Sequence, residues 1–295
     1  MILPSGPHGL WPVDARLAEC PTWLPGEDRL AWVDILEPSY NLLDPATGRV
    51  ERRVMPGKIG SAAPRDGASA IVALESGLWD SRPGDPPRGL ASPDMTGIHF
   101  NDGKCDPAGR FWVGSRASDG SAGGGALFRY DPDGTVHPIA DGFDVPNGLG
   151  WSADGTAFFL IDTVPRLLYR YDFDLSAGTI AHRRVVCRFE DLPGKPDGLA
   201  IDTQDRIWCA MWDGRGIAVL SFAGDLLGWL PTPCQRPTSC AFGGDDGRTL
   251  FVTTASHQLD PCDPAFGEAG SILAFRVEEP GVPVALFGAA PVGWR

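Results

Sequence analysis

Apolar residues in this chain come in short runs such as "RFWVG", "AFFLID" and "TLFVTT", each bounded by a turn rich in Asp and Gly. Where a run is only half apolar, as in "LLYRYDFD", Tyr169 and Tyr171 alternate with charged neighbours, which is the period of a half-exposed strand. Helical periodicity is weak throughout. The pattern predicts many short strands joined by tight turns.

The runs recur. "ECPTWLPGEDRLAWVDI", "IGSAAPRDGASAIVALESG", "NDGKCDPAGRFWVGS", "NGLGWSADGTAFFLID", "DGLAIDTQDRIWCAMW" and "TSCAFGGDDGRTLFVTTA" share a small or polar start, an apolar position, a turn and a strand. Their starts fall near residues 19, 59, 101, 147, 197 and 238, spaced by about 40, 42, 46, 50 and 41 residues. Six copies of that length predict an all-β, six-bladed β-propeller, with four-stranded antiparallel blades around a central channel and residues 1–295 as one domain. In the fourth copy "NGLGWS", "AFFLID", "LLYRYDFD" and "RRVVCRF" read as the innermost to the outermost strand, with a hairpin turn at Gly178. "SILAFRV" and "PVALFG" near the end of the chain are expected to supply further strands for ring closure.

Composition narrows the partners. The 38 Gly and 28 Pro fit a turn-rich chain, and 43% hydrophobic residues suffice for a large core. A net charge of −13, without a basic stripe, disfavours nucleic acid and anionic membranes as partners. The start of the chain shows no secretory pattern, and no apolar run is long enough to span a bilayer. None of the seven Cys forms a C-x-x-C pair, and Cys105 and Cys209 lie in apolar runs as buried thiols, so a cytoplasmic location is expected.

Equivalent positions of a propeller meet at one mouth of the channel. Here they carry Glu19, Asn101, Asn147, Asp197 and Thr238. Two carboxylates confined together repel and resist desolvation, which a divalent cation relieves. Oxygen ligands suit Ca²⁺, Mg²⁺ or Mn²⁺, with Zn²⁺ also possible, and Glu19, Asn147 and Asp197 would leave room for water and substrate. The competing reading is that Asn and Asp stand there only as turn formers. A cation at this place could polarise a carbonyl, with Asp197 as general base, a chemistry suited to hydrolysis of a strained ester. No G-x-S-x-G or H-E-x-x-H motif offers another catalytic centre.

"ECPTW", "FNDGKCDPAGRFWVG", "PNGLGWSADGTAFFLIDT", "PDGLAIDTQDRIWCA" and "PTSCAFGGDDGRTLFVT" resemble the senescence-marker-protein/gluconolactonase family, from about residue 17 to about residue 277. The resemblance implies a six-bladed propeller holding one divalent metal through a Glu, an Asn and an Asp. By motif match these are Glu19, Asn147 and Asp197. It further implies hydrolysis of sugar lactones with Asp197 as base, and substrate contact by Asn101 and by an Arg two residues before it.

This chain departs from the family on the substrate side. His99 replaces that Arg, Arg116 in "GSR" replaces a Met, and "ASDGSAGGGALF" lacks a Glu that contacts substrate in some members. Either His99 and Arg116 rebuild recognition for a different or anionic lactone, or Arg116 faces solvent and a neutral His99 fills space. Trp212 could wall the pocket or serve the core, while Trp112 and Trp208 read as core between blades. Asp102 and Lys104, beside Asn101, could orient the ligand residues or hydrate the site, but a structural salt link is the expected reading.

The expected function is a lactonase that opens an aldonolactone with one divalent ion (Ca, Zn, Mn, Mg or Fe) and a small-molecule lactone as its partner. The alternatives are a metal-dependent hydrolase of a non-sugar or anionic lactone or ester, and a non-catalytic calcium-binding propeller. The oligomeric state is not legible in the sequence.

Overall fold

Six antiparallel sheets of four strands stand around one axis in the computed structural model, which describes residues 2–289 apart from 67, 264, 265 and 284. No helix occurs among the described residues, and so none is long and apolar enough to cross a membrane. From the axis outward, blade one comprises Ala18–Leu24, Arg29–Asp34, Ser39–Leu43 and Val50–Val54. Blade two comprises Ile59–Pro64, Ala70–Leu74, Gly77–Ser81 and Arg88–Gly89. In blade three the strands are Ile98–Cys105, Phe111–Ala117, Gly125–Tyr130 and Val136–Phe143. Blade four runs Pro146–Trp151, Ala157–Asp162, Leu167–Asp174 and Thr179–Arg188, as the repeat alignment expects. Blade five is Lys195–Ile201, Ile207–Trp212, Gly216–Leu220 and Leu226–Pro231.

Blade six corrects one expectation. Pro237–Gly243, Thr249–Thr254 and Ser271–Arg276 are completed by Gly9–Pro12, which pairs antiparallel with Ser271–Arg276. The N-terminal "GLWP", not "PVALFG", closes the ring. Outside the undescribed Val284, the latter segment forms no ladder strand: Leu286 bridges Ala289, the Phe287 and Gly288 N–H groups donate to the Pro64 and Gly109 carbonyls, and Phe287 stacks on Tyr130 at 5.4 Å.

Burial grades outward from the axis. Every residue of Ala18–Leu24, Pro146–Trp151 and Pro237–Gly243 is buried, whereas the outermost Thr179–Arg188 is largely exposed. One apolar cluster fills each of the six gaps between neighbouring blades, so the sheets are held face to face by the hydrophobic effect. Trp112 and Trp208 lie in two of these clusters, as expected of core residues. Cys105 and Cys209 are buried free thiols, and burial holds both well above the ordinary thiol range.

A polar staple recurs within this apolar packing. Asp106 Oδ2 accepts from Arg110 Nε at 2.6 Å and from Trp112 Nε1 at 2.9 Å. Asp202 does the same with Arg206 and Trp208, at the same two distances. The shared spacing D-x-x-x-R-x-W therefore fixes the turn after an inner strand to the indole of the next strand. Blade one lacks it, and the buried Trp32 Nε1 has no hydrogen-bond partner among the described residues.

Asp106→Ala would leave a buried guanidinium without its carboxylate and an indole N–H without a partner, so unfolding free energy is expected to fall by about 3–5 kcal/mol. Asp106→Asn, which keeps an acceptor oxygen, should cost less. Chemical denaturation of both variants checks this, and a loss below about 1 kcal/mol in the alanine variant would contradict the staple's role.

Candidate active site

All six inner strands are bulged at the same level. Pairing with the second strand shifts between Glu19 and Thr22, Ile59 and Ser61, Phe100 and Gly103, Pro146 and Leu149, Pro196 and Leu199, and Pro237 and Ser239. A bulge releases residues from the ladder and re-aims their side chains. Here the released positions include Asn101, Asn147, Asp197 and Thr238, and Glu19 borders its own bulge. Gly148 and Gly198 let the inner strands approach: an added Cβ would lie 2.5 Å from the Asp197 carbonyl oxygen and 2.0 Å from Ser239 Oγ, respectively.

Around the axis the predicted residues come together in pairs. Asn147 Nδ2 donates to Asp197 Oδ1 at 2.5 Å and to Thr163 Oγ1 at 3.1 Å, and Thr163 Oγ1 donates to the Pro196 carbonyl at 2.8 Å. Asn101 Nδ2 donates to the Pro146 carbonyl at 3.0 Å, which ties blade three to the strand bearing Asn147. Glu19 Oε2 accepts the Cys20 N–H at 3.2 Å. Cys20 has φ 51°, a left-handed conformation rare outside Gly, and its Sγ–H reaches the Gly103 carbonyl at 3.2 Å. Thr238 does not face the channel. It is fully buried, and its hydroxyl donates to the carbonyl of Ala18, the residue before Glu19.

Asp102 and Lys104 are not the expected salt link. Asp102 Oδ1 takes the Gly103 N–H at 2.7 Å, while Lys104 Nζ crosses to the Leu199 carbonyl at 2.7 Å. No ion pair joins the two side chains, although Lys104 is near enough to lower the Asp102 carboxyl. Lys104 also lines an apolar cavity of about 70 Å³ with Gly150, Ile201, Phe242 and Ala285, on the far side of the site.

Electrostatics make the neck of the channel costly as it stands. Burial, then Asp197 and Asp102, hold Glu19 well above the ordinary carboxylate range. Burial and Asp102 do the same to Asp197, against the hydrogen bond from Asn147. Asp102 is raised by burial and relieved by Lys104. Three carboxylates and one ammonium leave two negative charges when all are ionised.

The donor atoms fit a divalent cation. Glu19 Oε1, Asn147 Oδ1 and Asp197 Oδ2 have no hydrogen-bond partner among the described residues, and none of the three is sealed from solvent. Oxygen donors favour hard cations. Among the described residues no three His, Cys, Asp or Glu side chains are placed to hold a metal ion, so this set depends on the Asn147 amide for its third member.

Three supporting residues escape a reading of the sequence alone. Asp34 ends the second strand of blade one and accepts the N–H groups of Arg16 and Leu17 at 2.9 and 3.2 Å, just before the strand bearing Glu19. Asp162 does the same in blade four for Asp144 and Val145, at 3.1 and 2.8 Å, before Asn147. The signal was present in "RLAWVD" and "AFFLID", equivalent strands with the same last residue. Thr163, which orients Asn147, is the third.

The substrate-side residues divide. His99 and Arg116 are opposite one another in the blade-three ladder, and Arg116 Nε donates to His99 Nε2 at 2.7 Å. Trp212 is half-buried on the second strand of blade five, opposite Lys195, with the Arg236 guanidinium 4.8 Å from its ring centre. One face of Trp212 is thereby covered, and no contact links it to the His99–Arg116 pair.

A six-bladed propeller whose channel mouth gathers two carboxylates and an amide defines the class. The family described as "SMP-30/Gluconolactonase/LRE-like region" matches residues 17–256, and the chain belongs to it. It is 36% identical over 272 residues to pentonolactonase XacC of Haloferax volcanii, covering 89% of this chain and 91% of that protein. It is 35% identical over 277 residues to 6-deoxy-6-sulfogluconolactonase of Pseudomonas putida, covering 92% and 94%. Its fold superimposes on a solved luciferin-regenerating enzyme with a TM-score of 0.82 at 26% identity, covering 97% and 99%.

The raised carboxylates make a pH prediction for metal-stripped protein. A carboxyl whose folded pKa is raised adds stability below its unfolded value, near pH 4, and that stability is lost as pH rises through the folded value. The melting temperature of the stripped protein should therefore fall as pH rises from about 4 towards 8. Asp197→Asn should fall less. Parallel slopes for the two proteins would contradict this.

Proposed function

We propose that this lactonase opens a sugar-type lactone to its hydroxy acid, with one divalent cation held by Glu19, Asn147 and Asp197 and with Asp197 as general base. The observation that carries the reading is the convergence of two unneutralised carboxylates and an unpartnered amide oxygen at one mouth of the channel. The cation, when bound, would polarise the lactone carbonyl and lower both carboxylate pKa values.

The chain's own residues supply the rest. Asp197, ionised under those conditions, takes a proton from the attacking water as the new C–O bond forms at the carbonyl carbon. It then returns that proton to the ring oxygen as the acyl–oxygen bond breaks, which leaves one carboxyl and one hydroxyl. Asn101 keeps its Oδ1 free for a substrate hydroxyl because its Nδ2 is bound to the Pro146 carbonyl. The names of two relatives, a pentonolactonase and a 6-deoxy-6-sulfogluconolactonase, support a small sugar lactone as the substrate class.

The test is acid release from aldonolactones in a pH-indicator assay, using stripped protein with Ca²⁺, Mg²⁺, Mn²⁺, Zn²⁺ or Fe²⁺ restored singly. Activity should require a divalent ion, and Asp197→Asn should lower kcat by a factor on the order of 10²–10⁴. Turnover that persists without metal, or in Asp197→Asn, would overturn the assigned roles. If metal raises the melting temperature but no lactone is opened, the chain is instead a cation-binding propeller.

A further inference from the structure

We propose that Arg116 is an anion-recognition residue, and that the preferred lactone carries a carboxylate, sulfonate or phosphate at the end remote from its reacting carbonyl. The proposal rests on the lactonase reading above and names the substrate class for that site.

Arg116 rests on His99. Arginine has only donors, so His99 Nε2 must be the acceptor of its Nε–H, which fixes a neutral imidazole with its proton on Nδ1. That proton points to Ser118 Oγ at 3.3 Å. Burial, Arg116 and Lys58 all hold His99 below the ordinary imidazole range, in keeping with the neutral form. His99 is thus a rest for the guanidinium and does not replace the missing arginine as a reader of hydroxyls.

Clamped at Nε, Arg116 has no hydrogen-bond partner on either terminal nitrogen among the described residues, which leaves a fork suited to two oxygens of one anion. Among the described residues it makes no ion pair. Asp144 lines the same recess of about 90 Å³, where its Oδ1 accepts the Gly123 N–H at 2.6 Å and its carboxylate makes no ion pair with Arg116. Glu75 is the carboxylate felt by His99, where Lys58 opposes it. Arg116 is exposed, so in a chain of net charge −13 its oriented guanidinium, without an ion-pair partner among the described residues, is open to an anion arriving from solvent.

Its position suits a small sugar. His99 precedes Asn101 by two residues on the innermost strand of blade three, roughly 7 Å along it. The recess beside Arg116 is also lined by Val145, two residues before Asn147. A sugar lactone held at the channel mouth with its carbonyl on the axis would turn its far end towards Arg116.

The decisive experiment compares kcat/KM for glucono-1,5-lactone with its counterparts bearing a carboxylate, sulfonate or phosphate at C6, using wild type, Arg116→Gln and Arg116→Lys. Wild type should favour at least one anionic lactone by a factor on the order of ten. Arg116→Gln should bring that ratio close to one, Arg116→Lys should keep part of it, and added salt should lower it in wild type. The three anions identify which group is read. Equal preference in wild type, or a ratio unchanged in Arg116→Gln, would overturn the proposal.

Calorimetric titration with an aldarate and an aldonate separates this from failure of the lactonase reading. If wild type opens no lactone, that reading fails. Tighter aldarate binding that disappears in Arg116→Gln would still support the anion subsite, and equal binding of the two acids would overturn it.

Discussion

Two carboxylates drawn out of water at the centre of a ring of sheets cannot both remain charged unless something positive joins them. That constraint organises the rest of this molecule. Glu19 and Asp197 are each less than a tenth exposed, and a third carboxylate, Asp102, lies close enough to raise both. Lys104 offsets one of these charges. An enclosure so far from neutral is a poor stability device, since buried like charges cost several kcal/mol each. Under the proposed function it is the receptor for a small, doubly charged cation.

The propeller creates this condition through one repeated irregularity. Regular inner strands would direct alternate side chains into the gaps between blades. The shared bulge instead frees residues at the same level of each blade. The surrounding bonds then make a loose level precise. Asp34 and Asp162 anchor the chain just before two of the proposed ligands, Thr163 orients the third-member amide, and Thr238 joins blade six to the residue before Glu19. Cys20 accepts an unfavourable backbone conformation in the same service. Stability lies in the gaps between blades and the Asp–Arg–Trp staples, and the site lies where the ladders break.

Much of this was legible in the sequence because the repeated unit has to satisfy the same packing six times. The inner and second strands of each blade carry the same apolar pattern, and their turns the same Asp and Gly, so even the worn copy at Ile59 could be aligned. Ring closure was not legible. "GLWP" is short and ends in Pro, and its partner Ser271–Arg276 lies at the other end of the chain, so no local pattern joins them. That Lys104 bonds the Leu199 carbonyl and forms no ion pair with Asp102 was hidden for a related reason: a bulge changes the backbone register without changing composition. The His99–Arg116 contact required the register of two strands, although both substitutions were visible as departures from the family's motifs.

The central claim, that the neck of the channel is built for one divalent cation, is tested most directly by calorimetric titration of metal-stripped protein with Ca²⁺ and with Mn²⁺. Repeating it in buffers of different ionisation enthalpy also counts the protons released. The account predicts one ion per chain, bound with net proton release from the raised carboxyls, and lost in Glu19→Gln and in Asp197→Ala. Absence of binding, or binding that neither substitution weakens, would contradict it.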